Sequence, residues 1–296
     1  MSDLIKRYKN GNYYIEIYND GTKYRLAKDN NLKPKFPESI DLKITNYCDL
    51  GCPMCHENST IEGKHANLKH PFFKTLKAGT ELAIGGGNPL SHPELEEFLK
   101  RMNKQGILCN MTVNQRHFML EYPRLKRLVD SGLITALGVS LADSKDEEFI
   151  KLFKTINNAV MHVIIGLFNN DDYENLKDKG LKLLMLGYKQ YGRGKVYYSD
   201  DIKKNINWLY MSIQEISKHF KITSFDNLGI VQANMRRFFT TKDWNTYYMG
   251  DDGGFTMYID VVKESFAASS ISDKRYKLKR TINGMFKTVL TEAAEW

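Results

Sequence analysis

Three of the four cysteines in this chain, Cys48, Cys52 and Cys55, fall within eight residues, in Cys48-Asp49-Leu50-Gly51-Cys52-Pro53-Met54-Cys55. Thiolates this close, on a loop tightened by Gly51 and Pro53, can serve one soft metal centre. The number of thiolates carries the information. A closed structural zinc site takes four ligands, and an iron–sulfur cubane is normally held by four thiolates. Three thiolates on a cubane leave one iron open to a further ligand. The other option is zinc, with His56 or His65 completing the set.

A second stretch bears on the same chemistry. Thr80-Glu81-Leu82-Ala83-Ile84 reads as a strand and runs straight into Gly85-Gly86-Gly87-Asn88-Pro89-Leu90. Glycine lets backbone amides and carbonyls approach a ligand closely, because no Cβ stands in the way. The Cys-x3-Cys-x2-Cys loop, followed about thirty residues later by Gly86-Gly87-Asn88-Pro89, resembles the paired motifs of the radical S-adenosylmethionine (SAM) enzymes. The likeness is to a single-cluster member, since Cys109 is the one cysteine outside the loop.

That resemblance implies a specific site. Cys48, Cys52 and Cys55 would each ligate one iron of a [4Fe–4S] cluster, and the fourth iron would chelate the amino and carboxylate groups of SAM. An electron passed into SAM would release a 5′-deoxyadenosyl radical, which abstracts hydrogen from substrate. The donor would be a protein such as flavodoxin or ferredoxin. Met54 takes the place of an aromatic residue usual in the family beside the adenine. Gly86, Gly87, Asn88 and Pro89 match a Gly-Gly-Glu-Pro motif whose backbone holds the SAM amino group, with Asn88 replacing the acid. Asn114, Ser140, Ile164, Gly166 and Tyr188 fall where the family contacts the rest of SAM. No catalytic side chain is identified, although Cys109 is a candidate hydrogen donor of the kind some radical SAM epimerases employ. Its other reading is a small buried apolar residue.

These residues need a scaffold that brings strand ends together. Alternating or apolar runs predict strands at 40–45, 80–84, 107–114, 133–140, 160–166 and 181–187. Helices are expected between them, at 68–77, 93–105, 122–131, 143–156 and 171–179. Such alternation predicts βαβ units with a parallel sheet, and the resemblance implies an incomplete (β/α)6 TIM-like barrel over 38–199. Residues 1–37 form an N-terminal segment with a β-hairpin at 12–28, turning at Asn19-Asp20-Gly21-Thr22. Residues 200–296 form an α+β extension. It has a long helix at 201–220, a short strand at 221–223 and a helical stretch at 230–239, then is β-rich from Trp244 to Ser270. His162, inside the fifth strand, reads as a packed, hydrogen-bonded core histidine.

Composition narrows the class further. Hydrophobic residues make up 42% of the chain, enough for a substantial core. No apolar run is long enough to span a bilayer, and the N-terminus lacks the apolar stretch of a secretory signal. The expected compartment is a reducing cytoplasm, which suits free thiols. The net charge of +8 raises a nucleic-acid partner, but interspersed charges fit a solvated basic surface better. The stretch Tyr188 to Tyr198 interleaves aromatics with Arg193 and Lys195, which suits stacking on bases, holding an anionic substrate, or an ordinary loop near the adenine. A peptide or nucleotide derivative is the expected substrate. The competing classes are a non-catalytic Cys/His zinc module and a degenerate barrel that keeps the cluster without turnover.

Overall fold

A computed structural model describes residues 3–29 and 31–293. Met1, Ser2, Asn30 and 294–296, parts of the expected N-terminal segment and C-terminal extension, lie outside the described residues. The elements in chain order begin with strands β1 (Leu4–Asn10), β2 (Tyr13–Tyr18), β3 (Lys23–Leu26), β4 (Ser39–Thr45) and β5 (Glu81–Gly86). There follow α1 (Leu95–Lys104), β6 (Leu108–Asn114), α2 (Gln115–Leu120), α3 (Tyr122–Asp130), β7 (Ala136–Ser140), α4 (Glu147–Phe153) and β8 (Ala159–Ile164). Next come α5 (Asn170–Leu176), β9 (Lys182–Leu186), α6 (Arg193–Tyr197), α7 (Asp200–Lys218), β10 (Ile222–Phe225), α8 (Asn227–Gln232) and α9 (Thr241–Tyr247). The chain closes with β11 (Thr256–Asp260), β12 (Ser265–Ala267), β13 (Tyr276–Lys277) and α10 (Ile282–Ala293).

The main sheet has the order β10-β9-β8-β7-β6-β5-β4-β11-β12-β13. It is parallel from β10 to β11, and β12 and β13 then add antiparallel. The parallel run therefore extends beyond the six expected strands on both sides: β10 joins β9, and β11, from far along the chain, joins β4. Alternation on each strand sorts the faces. Ile40, Leu42 and Ile44 on β4, Leu82 and Ile84 on β5, and Cys109, Met111 and Val113 on β6 enter the apolar core. The opposite parity presents Asp41, Lys43, Asn110, Thr112, Ser140 and His162 to the other face.

That other face is concave. Five strand steps separate β4 from β9, about 24 Å across a flat sheet at about 4.8 Å per step. Yet Arg193, just after β9, donates to the carbonyl of Cys52, just after β4, at 3.0 Å. Lys189 likewise reaches Ser270 beyond β12, at 2.9 Å. The sheet is curled into a trough, with helices on its convex side.

Several local expectations are corrected. Residues 68–77 form a 3-10 turn, Pro71–Thr75, instead of a helix; buried Phe72 and Phe73 pin it to the core, and His70 caps it through its ring. The hairpin gains a third strand, β1, which pairs antiparallel with β2. Residues 241–247 are helical although a β-rich stretch is expected from Trp244. Thr240 accepts from the Asp243 amide at 3.1 Å, a capping pattern that starts the helix. The small N-terminal sheet is bolted to the main one at buried Glu38, which accepts from Tyr13 at 2.6 Å and from Arg25 at 2.9 and 3.1 Å.

Candidate active site

The cysteine loop leaves β4 through a break in register. Between Lys43 and Thr45 the pairing of β4 with β5 shifts, a bulge that redirects the chain where pairing ends. The loop then folds back on itself. The Cys48 amide donates to Thr60 O at 2.8 Å, the Thr60 amide to Asn46 O at 3.1 Å, and the Asn46 amide to Lys64 O at 2.8 Å. Gly51 takes φ +60°, as the turn between the first two cysteines requires. All three thiols are half-buried and free. Burial pushes the Cys48 and Cys52 thiols above their ordinary range, and a bound metal would override this with its own charge.

Two glycine-rich segments grip this loop from opposite sides. From β5, the Gly87 amide donates to Thr45 O at 2.9 Å and the Asn88 amide to Tyr47 O at 2.7 Å. A Cβ on Gly87 would lie 2.0 Å from Tyr47 O, and Gly86 holds φ +113°. From the far side comes Gly192-Arg193-Gly194. The Arg193 amide donates to Cys55 O at 3.1 Å. Its guanidinium donates to Cys52 O and, through both terminal nitrogens, to Ser59 O, each at 3.0 Å. Gly192 and Gly194 allow the approach: a Cβ on either would strike the carbonyls of Cys55 and His56 or of Met54.

Of the residues expected at the cofactor, Met54 is half-buried in the loop, and Pro89 opens a 3-10 turn capped by the Asn88 side chain, which accepts from the Leu90 amide at 3.1 Å. Asn114 and Ser140 end adjacent strands in register. The Asn114 side chain caps α2, a helix missed in the sequence although this cap announces it. Ile164 ends β8 on the concave face. Gly166 instead faces α7: its carbonyl accepts from Asn205 at 3.0 Å, and a Cβ there would strike Ile202. Tyr188 is buried and donates to Gly194 O at 2.7 Å, which braces the clip carrying Arg193.

Cys109 is not brought to the site. It faces the helices inside the core, where burial pushes its thiol up to about 12; the structure gives it the packing role. Arg193 is likewise committed to loop carbonyls, which removes it from a free phosphate-binding surface. His162 stands on the concave face against Gly138, with Nδ1 unpartnered, and burial lowers its pKa to about 4. That corrects the expectation of a hydrogen-bonded core histidine. For zinc, His65 bonds to Thr45 at 2.9 Å and His56 faces Glu57 at 3.5 Å. Among the described residues no three His, Cys, Asp or Glu side chains converge on one ion. A cubane asks for less convergence, since each thiolate takes a different iron. Three free thiols on one loop, beside backbone kept bare of Cβ atoms, fit that donor set.

Sequence reading missed a buried charge cluster beside the loop. Lys43 pairs with Glu57 at 2.5 Å and with Asp260 of β11 at 3.4 Å. Tyr258 donates to Glu57 at 3.1 Å. Burial alone would raise the Glu57 carboxyl, but His56 and Lys43 outweigh it and hold the group well below the usual range. Farther down the trough, Asp41 is enclosed yet water-accessible. Burial, opposed by Lys189 and reinforced by Asp252 and Asp226, raises its pKa to about 6.

No protein-family model matches the chain. In sequence it is 26% identical over 135 residues to the 7,8-dihydro-6-hydroxymethylpterin dimethyltransferase of Methanocaldococcus jannaschii, covering 41% of this chain and 26% of that enzyme. It is 27% identical over 106 residues to the PqqA peptide cyclase of Gluconobacter oxydans, covering 34% of this chain and 29% of that one. The match thus spans less than a third of either relative's length. Among solved structures, SuiB of Streptococcus suis bound to its precursor peptide SuiA superposes with TM-score 0.58 at 14% identity, over 89% of this chain and 68% of that one. The enzyme anSMEcpe with bound AdoMet and the Kp18Cys peptide gives 0.54 at 16% identity, over 86% and 81%. These relatives and neighbours are radical SAM enzymes, and the chain is similar to them in sequence over part of its length and in fold over most of it. Its fold is an α/β fold with a large, mostly parallel sheet, similar to the partial barrels of that class.

Proposed function

We propose that this chain binds a [4Fe–4S] cluster through Cys48, Cys52 and Cys55, binds SAM beside it, and modifies a peptide by hydrogen abstraction. The observation that carries the reading is the double grip on the cysteine loop: Gly86-Gly87-Asn88 on one side and Gly192-Arg193-Gly194 on the other. Both bring backbone up against the loop that carries three free thiols. When bound, the cluster and SAM supply the 5′-deoxyadenosyl radical.

The chain's own residues do the rest. Gly86 and Gly87 offer bare backbone to the amino-acid arm of SAM, with Met54, Asn114, Ser140 and Ile164 available around the remainder. The trough below holds one C–H in place, which is where specificity for a reactive radical arises. Residues 38–199 carry this chemistry in the proposal, while 200–296 add β10 and β11 to its two sides. A peptide substrate is supported by neighbours solved with peptides bound and by the PqqA peptide cyclase relative. Asp41 on the concave face suits a cationic group on that peptide. Among the described residues no helix is long and apolar enough to cross a membrane. A reducing compartment such as the cytoplasm, with a flavodoxin or ferredoxin as donor, suits the free thiols.

The test is anaerobic reconstitution followed by reduction with SAM. The reading expects brown protein with about four irons per chain, release of 5′-deoxyadenosine, and a mass change in a peptide supplied from a library. Colourless protein that takes up one zinc and cleaves no SAM would sink it.

A further inference from the structure

The glycine turn that approaches the cysteine loop ends in a neutral residue, Asn88. Its side-chain oxygen is already occupied: Oδ1 accepts from the Leu90 amide at 3.1 Å. Asp49 follows the first cysteine. It is anchored from below by His117 of α2, whose Nε2 lies 2.8 Å from Asp49 Oδ1. His117 is buried, while the Asp49 side chain keeps 44% of its surface exposed. The carboxylate is therefore oriented by His117 and open to solvent on another side. It sits beside Cys48 and the turn at 86–88, whose amides at Gly87 and Asn88 are taken by Thr45 O and Tyr47 O.

The amino-acid arm of SAM carries an ammonium group. A cation held in a partly desolvated site needs an anionic or strongly accepting partner. Asn88 brings no charge, and its oxygen is turned to its own turn. Glu57, the next acid along the loop, is already paired with Lys43. Resting on the proposal that this site binds SAM, we infer that Asp49 is the counter-charge for the SAM ammonium, positioned by His117. The neutral residue at 88 and the acid at 49 then form one device. An acid at 88 would add a second negative charge near Asp49, whereas a neutral residue there adds none.

The test moves the charge. Asp49→Asn removes it; Asp49→Asn with Asn88→Asp returns it to the neighbouring position and preserves the oxygen that caps Leu90. Cluster-loaded, unreduced protein is dialysed anaerobically against SAM and, separately, against 5′-methylthioadenosine, which lacks the amino-acid arm. Iron content is measured for each variant. The expected result is at least a fivefold weaker Kd for SAM in Asp49→Asn, with iron content and 5′-methylthioadenosine binding unchanged, and recovery of most of the SAM affinity in the double variant. A change below fivefold for SAM, equal loss for both ligands, or no recovery in the double variant overturns the inference while leaving SAM binding by the parent intact. A parent that takes up iron but binds no SAM overturns the inference together with the reading beneath it.

Discussion

Removing the Arg193 guanidinium should loosen the cysteine loop before any metal is present. Arg193→Met keeps the length of the stem and deletes every side-chain donor. The side chain serves two acceptors, Cys52 O and Ser59 O, each at 3.0 Å. Hydrogen bonds from a charged donor contribute about 1.5–3 kcal/mol each. Arg193 is only half-buried, so the lower end applies, and the two acceptors together give about 3 kcal/mol. That corresponds to roughly a hundredfold change in the local opening equilibrium. The backbone bond from the Arg193 amide to Cys55 O is kept in the variant, which makes the figure an upper bound. The assay is amide hydrogen exchange on metal-free protein, which reads local opening directly. The amides of Cys48, Cys55, Asn58 and Thr60, each bonded within the loop, should exchange up to about a hundredfold faster, with β6 to β8 unchanged. Arg193→Lys, which offers one ammonium in place of a fork, should fall between. Unaltered protection over 48–60, with faster exchange confined to 188–198, would refute the clamp.

Two further outcomes follow from the same geometry. Gly87→Ala places a Cβ 2.0 Å from Tyr47 O, so turn and loop must separate; calorimetry should show at least about 2 kcal/mol of lost stability, and SAM should no longer bind. Asp41, with its pKa raised to about 6, holds its proton more tightly folded than unfolded, so its contribution to stability is present at low pH and lost as pH rises from about 4 to about 6. Its attraction for a cationic peptide runs the other way, absent below that range and present above it; Asp41→Asn should flatten both dependences in titrations followed by denaturation and by peptide binding.

The parts of this molecule that were legible in the sequence are those with local causes. Alternation on β4 to β9 follows from burying one face of each strand. The apolar period of α7, with Ile202, Leu209, Ile213 and Ile216 buried, follows from packing one side of a helix. The α2 and α9 helices were also legible in principle, since Asn114 and Thr240 cap them with their side chains. What was not legible depends on distant pairing. Nothing near Thr256 tells β11 to lie parallel to β4, some two hundred residues earlier. Cys109 belongs with the legible part: it shares the parity of Met111 and Val113, and all three are buried.

The site divides along the same line. The three cysteines and the glycine turn are short motifs, and in the proposed reading each supplies ligands or bare backbone without help. Their placement is long-range. The loop at 48–60 is held by β5 through Gly87 and Asn88, by the chain after β9 through Arg193, and by α2 through His117. It is also tied to the C-terminal segment, because Glu57 accepts from Tyr258 and shares Lys43 with Asp260. A buried ion pair is costly to leave half-made, since the surviving charge has no solvent to turn to. Lys43 is buried between acids from two different parts of the chain, so β11 and the loop must both be in place before its charge is satisfied. The extension therefore belongs to the architecture of the site. The cysteine spacing says which atoms would meet a metal; the charge on Lys43 ties their position to a strand that no motif marks.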